Sequence, residues 1–267
     1  MLAFTIFPLA HTLYLSVETT GLSGNRFTGI SNFVRLWNDY RFWSALRVTL
    51  TFVIASVLLT VFIGTVLALA LNRGVRGTRA FRTLSILPMF AAPIALGYLG
   101  LTIFYQQGGP VNNMLVGLGL RALPWLANGN WALVSILAVD IWQWTPFVFL
   151  VVLAALQSVP LELVEAARLE TSSSWAVLTR ITFPLIRGPL GTVIILRIVE
   201  AFKVFDIPFT LTNGGPGIAT RSLTYDVYTT ALRNQNFGYA ASVAVVMLVL
   251  VMAVAVVFYR IYGSAYE

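Results

Sequence analysis

Arg197, Glu200, Lys203 and Asp206 recur at every third position in an otherwise apolar stretch, and Asp140, Gln143 and Trp144 interrupt another. An ionised side chain at bilayer depth costs about 2.5–3.5 kcal/mol on insertion scales. Charges there are kept for pairing or for a polar ligand. Neighbours at i and i+3 pair on a helix, so the spacing predicts partial neutralisation within Arg197–Glu200, Glu200–Lys203 and Lys203–Asp206. Carboxylate, amide and ammonium groups beside an indole suit a polyhydroxylated ligand. Its hydroxyls take hydrogen bonds and its C–H face stacks on rings. Asp140, Gln143, Trp144, Glu200 and Lys203 are the residues expected to line a substrate path. The alternative is that these groups only hold helices together or sit behind the path.

A second polar group lies at 157–189, with Glu162, Glu165, Arg168, Glu170, Arg180 and Arg187. Pro160 stands where a helix can begin, and Glu162 and Glu165 suit the positive end of its dipole. Val164, Ala167 and Leu169 are expected to face one way. Thr171 to Ser174 breaks the pattern and offers hydroxyl N-caps to a second helix. Trp175, Leu178, Ile181 and Phe183 give that helix an apolar side, and Pro184 is expected to end it. A helix-turn-helix exposed between membrane spans is either a docking element for a partner outside the membrane or a self-contained cap. As a docking element it would use Glu165 for an ionic contact and Ala166 and Ala167 for close approach. Leu163, Leu169 and Trp175 would be its apolar contacts.

Other chemistry finds little support. The 267 residues include no cysteine and one histidine, which leaves no thiolate, no disulfide framework and no histidine-rich metal cluster. No convergent catalytic set and no metal site is identified. A GxxxxGK[ST] phosphate loop is missing, so the chain is expected to hold no cofactor of its own. The formal charge of +7 does not point to nucleic acid, because the arginines fall between apolar runs and form no basic stripe.

The elements that position these residues are membrane spans. The chain is 58% hydrophobic and 10% charged, against roughly 25% charged in a soluble domain. Apolar runs at 48–71, 83–105, 131–156 and 239–262 fit the about 20 residues a crossing needs. The run at 1–17 is short and reads as a first span whose cytoplasmic start is missing. The run at 190–211 is a fifth span in spite of its charges. The fold class is therefore all-α: a polytopic membrane protein of about six transmembrane helices, 1–267 forming a single transmembrane domain. Pro88 and Pro93 should kink the third span. Gly64 and Ala68 stand at the spacing that lets helices approach closely. Arg73, Arg76, Arg79 and Arg82 make a dense basic loop, which the positive-inside rule places in the cytoplasm together with 157–189. Residues 111–118 are expected to form a short amphipathic piece, and Ser31, Asn32, Phe33, Trp37 and Trp43 point to a short element at the interface. The turn at Asn213 to Pro216 on the outer face either touches a partner or connects spans.

Glu165-Ala166-Ala167, followed by an apolar helix and Ile181-Thr182-Phe183-Pro184, resembles the EAA loop of ABC importer permeases. More narrowly it is similar to the sugar-type, binding-protein-dependent group that handles maltose, trehalose and glycerol-3-phosphate. Trp142 to Phe147 leading to Ala155 to Pro160, Val204-Phe205-Asp206 leading to Leu211 to Pro216, and Phe237 to Ala241 agree with it in order and spacing. The family usually has Asp-Gly where this chain has Glu170-Thr171, and threonine resists the positive φ that glycine permits. The resemblance implies a multi-pass permease of a bacterial or archaeal cytoplasmic (inner) membrane, in contact with membrane lipid. It also implies a cytoplasmic coupling helix between the fourth and fifth spans, with Glu165, Ala166, Ala167, Leu169, Glu170, Thr171 and Trp175 at the contact. The implied partners are a second homologous permease, two ATPase subunits that hold the ATP and Mg, and an extracytoplasmic solute-binding protein. Disaccharide or oligosaccharide cargo is expected. A glycerol-3-phosphate or glycerophosphodiester permease is the alternative, followed by an ion-coupled secondary transporter.

Overall fold

In the computed structural model, residues 2–21, 24–72 and 78–263 are described. Arg73 and Arg76 of the basic loop lie outside the described residues. Among the described residues the chain is almost all helix. α1 (Leu2–Ser16) leads into an antiparallel hairpin of β1 (Glu18–Gly21) and β2 (Gly24–Phe27), in which Glu18 faces Phe27. Then follow α2 (Ser31–Trp37), α3 (Tyr40–Leu71), α4 (Thr78–Phe90), α5 (Pro93–Ile103), α6 (Pro110–Gly117) and α7 (Gly129–Gln157). After these come α8 (Leu161–Glu170), α9 (Ser174–Val177), α10 (Phe183–Phe202), α11 (Leu223–Tyr228) and α12 (Phe237–Gly263). Five-residue π turns stand at Leu178–Thr182, Pro208–Thr212 and Thr229–Arg233.

Among the described residues, three helices are long and apolar enough to cross a membrane: Tyr40–Leu71, Gly129–Gln157 and Phe237–Arg260. The pair Thr83–Phe90 and Pro93–Ile103 is together long and apolar enough to be a fourth, as a broken span or a re-entrant loop. That break realises the expected kink, with Pro93 taking the first position of the new helix, where a missing N–H leaves nothing unpaired. The fifth expected span differs. Helix α10 begins at Phe183 and ends at Phe202, so 203–211 do not continue it. Side chains take up the carbonyls freed at its end: Ser222 Oγ donates to Val204 O at 2.7 Å and Thr224 Oγ1 to Phe202 O at 3.4 Å.

The contacts fall into two compact units. In the first (1–53, 93–139 and 201–254), Leu36, Phe42, Ala45, Leu223, Tyr239 and Val243 form a buried cluster. There α5 lies so close to the Pro208–Thr212 turn that a Cβ on Gly97 would stand 1.6 Å from Thr210 Oγ1. The second (54–92, 140–200 and 255–267) is built on Ala68, Val148, Phe149, Val152, Leu153, Leu156, Ile186 and Val193. Gly64 lets α3 meet α7 here, since a Cβ would come within 2.8 Å of Val148. Close backbone approach through small residues is the usual way helices pack in lipid.

Candidate functional site

The region 157–189 folds as two helical pieces and a turn, all within the second unit. Pro160 precedes α8, and no residue of α8 is buried. Glu162, Glu165, Ala166 and Arg168 are exposed, whereas Val164 and Ala167 are half-buried. Leu169 does not share their face. It is 90% exposed, because two residues past Ala167 on a helix turns a side chain to the opposite side. Glu170 is also exposed, and Thr171 is the C-cap at φ −144° and ψ 135°. That is extended backbone, so threonine turns the chain here without the left-handed conformation glycine would serve. Ser173 caps α9 by accepting a hydrogen bond from Ala176 N at 3.3 Å. Trp175 is 71% exposed, while Leu178, Ile181 and Phe183 are half-buried.

Pro184 does not end the second helix. Val177 and Phe183 are both right-handed helical, and the chain runs from α9 through the Leu178–Thr182 π turn directly into α10. A proline ring clashes with the carbonyl four residues back and offers it no N–H. The wider i→i+5 turn immediately before Pro184 accommodates both deficits. A continuous helical run therefore joins the exposed α8–α9 turn to the interior of the second unit.

At the far end of that run Arg197 is 1% exposed and Asp140, on α7, 3%. Their pairing runs between helices, to a partner that the i and i+3 spacing does not point to. Arg197 Nη2 makes an ion pair with Asp140 Oδ2 and donates to Ser56 Oγ, which itself donates to the same carboxylate oxygen. The guanidinium carbon also lies 5.0 Å from the centroid of the Trp144 ring, a cation–π arrangement. The physical reason is burial. A charge removed from water needs a partner of opposite sign with good geometry, and α7 supplies one inside the helix packing. Gln143 is buried and donates through Nε2 to Ala91 O at 3.5 Å, a carbonyl left free by the break between α4 and α5. Trp144 and Glu200 are half-buried and Lys203 is exposed. Thus Asp140 and Trp144 meet around Arg197. Glu200 belongs to the second unit and Lys203 to the first. Sequence reasoning missed Ser56, a lone serine in an apolar run with nothing to mark it. The i and i+3 spacing points only along Arg197's own helix, whereas Asp140 stands on another.

Among the described residues no group of acidic, histidine or cysteine side chains could hold a metal ion.

Residues 57–265 match the family of binding-protein-dependent transport system inner membrane components. The chain belongs to that family. Full-length similarity agrees. It is 32% identical to the trehalose/maltose transport system permease protein MalF of Thermococcus litoralis, over 98% of this chain and 89% of that one. It is 32% identical to the lactose permease protein LacF of Rhizobium radiobacter, over 93% and 85% of the two chains. The sn-glycerol-3-phosphate permease protein UgpA of Agrobacterium fabrum is 33% identical over 94% and 86%. The fold matches a chain from the crystal structure of a bacterial ABC transporter that imports the acidic polysaccharide alginate. That match has a TM-score of 0.88 at 23% identity and covers 100% of this permease and 92% of that chain. A membership of this kind makes the permease an inner-membrane subunit of an importer that works with a binding protein.

Proposed function

We propose that this permease is one of two homologous membrane subunits of an ATP-driven importer of a disaccharide or oligosaccharide. Two cytoplasmic ATPase subunits, which hold the ATP and Mg, would drive it through α8. The observation that carries the coupling reading is that α8 has no buried residue of its own. Nevertheless it presents Leu161, Leu163 and Leu169, with Trp175 beyond the turn, to the outside. A self-contained cap would bury that apolar surface against its own helix pair. Exposed apolar patches of this kind mark protein contacts. In this reading Glu165 makes the ionic contact, and Ala166 and Ala167 allow close approach. Leu169, Glu170, Thr171 and Trp175 complete the surface. Gln143, Trp144, Glu200 and Lys203 face the cargo path, while Asp140 holds Arg197.

Sugar cargo rests on the trehalose/maltose and lactose relatives. The glycerol-3-phosphate relative, at equal similarity, supports a phosphate-bearing cargo as the second reading. Reconstituting the chain with the ATPase and second permease that co-purify with it, plus the binding protein, tests both. Uptake of labelled maltose, trehalose or lactose is expected, and uptake of glycerol-3-phosphate alone would establish the second reading. Glu165→Lys should leave the chain in the membrane but lower ATP-dependent uptake about tenfold, the order of one coupling contact. Normal uptake by that variant counts against the docking role.

A further inference from the structure

The geometry points to Ser56, Asp140 and Arg197 as a transmission clamp, a set of positioning residues that carries movement of the coupling segment into the helix bundle. The inference rests on the coupling role of α8 and goes beyond it.

Three observations support it. First, the helical run from Ser174 to Phe202 is unbroken. At about 1.5 Å per residue it places Arg197 about 35 Å along the helix from the turn that follows α8. Displacement of one end of such a rod reaches the other. Second, the clamp ties three helices at one point: Ser56 is on α3, Asp140 on α7 and Arg197 on α10. Small-residue contacts such as Gly64 against Val148 hold helices close, yet apolar surfaces slide. A buried ion pair with a shared hydroxyl fixes register instead, which is the best-attested use of buried charge. Third, Arg197 Nε and Nη1 have no acceptor among the described residues. A pair kept only for stability would leave no buried donor unmet, because each costs free energy. The unmet donors leave the guanidinium able to take new acceptors as α10 shifts, and coupling requires such an element with two arrangements.

The test uses the assembled transporter in proteoliposomes, and it follows labelling of this chain alone. Because the chain has no cysteine, Ile141→Cys places a single thiol at a half-buried position beside Asp140. A small maleimide is the probe, applied in the nucleotide-free and ATP–vanadate-trapped states. With the clamp intact, the labelling rate is expected to change about tenfold between states, as for a coupling free energy of ordinary size. Combining Ser56→Ala, Asp140→Leu and Arg197→Met replaces the charges with apolar groups, which proteins tolerate far better than removal of one partner. This variant should assemble and hydrolyse ATP while the state-dependent change is lost. Retention of the change in the apolar variant overturns the clamp, as does absence of any change with the clamp intact. If the apolar variant fails to assemble, Ser56→Ala alone decides. It keeps the ion pair, and a reduced change supports the clamp while a full change overturns it. Glu165→Lys separates the two ideas. If that variant transports normally the coupling reading fails, whereas a lost response with normal apolar-variant behaviour removes only the clamp.

Discussion

Asp226 lies buried outside the spans, with Arg221 Nη1 3.5 Å from its carboxylate. Burial raises its carboxyl above the ordinary range. Arg221 opposes that rise, Asp39 adds to it and Arg41 opposes it. The sign of the consequence follows from linkage. A carboxyl with a raised pKa in the folded state favours folding when protonated, and that contribution is lost as pH rises through the folded value. Asp226→Asn is therefore expected to raise the thermal midpoint of the detergent-solubilised chain at pH 8. The gain should shrink as pH falls to the ordinary aspartate range, about 4, and a pH series of melting curves checks this. The residue scale is also where the sequence was least legible. Arg197, Glu200, Lys203 and Asp206 were visible as charges in an apolar run, but an i, i+3 rule sees one helix only. Asp140 lies 57 residues from Arg197 in the chain, and nothing in the local pattern points to it.

At the scale of elements, hydropathy marks the long apolar helices α3, α7 and α12, and Pro93 marks the break between α4 and α5. Hydropathy fails where side-chain hydrogen bonds set the boundary. The end of α10 depends on hydroxyls of Ser222 and Thr224, about twenty residues downstream, which satisfy carbonyls that would otherwise have to stay in the helix. The hairpin at Glu18 to Phe27 carries no alternating apolar face in either strand, so periodicity does not mark it. Two substitutions probe element geometry. Gly97→Ala would place a methyl carbon 1.6 Å from Thr210 Oγ1. Overpacking of this kind costs about 1–3 kcal/mol, so the melting temperature should fall clearly. The double variant with Thr210→Ser should still be destabilised, because the hydroxyl remains. Thr171→Gly asks the opposite question. Since Thr171 is in extended backbone, glycine gains no conformation it needs. The substitution should lower stability by about 0.5–1 kcal/mol through the added freedom of the unfolded chain, with uptake little changed. Improved coupling on Thr171→Gly would show that the working turn is left-handed after all.

For the whole molecule, the apolar surface of the described chain divides into two kinds. Exposed side chains such as Phe62 and Ile54 on α3 and Val249 and Met252 on α12 belong to helices long enough to cross a membrane, where lipid or a neighbouring membrane subunit suits them. Leu161, Leu169 and Trp175 belong to a short helix and a turn with charged neighbours, where lipid is a poor partner for Glu162, Glu165 and Arg168. The same physical fact, apolar area without a protein cover, thus has two different resolutions within one chain. Only the second calls for a partner outside the membrane. Proteolysis distinguishes them. Arg168 is exposed on a helix with no buried residue, and local opening of such an element should be easy. Trypsin is therefore expected to cut the solubilised chain alone after Arg168 before it cuts within the spans. Assembly with the ATPase should slow that cut at least about tenfold, since a partner that binds only the closed form suppresses opening in proportion to its occupancy. Mass spectrometry of the fragments over a time course reads both rates. A cut rate unaffected by the ATPase would mean that α8 is covered by something else.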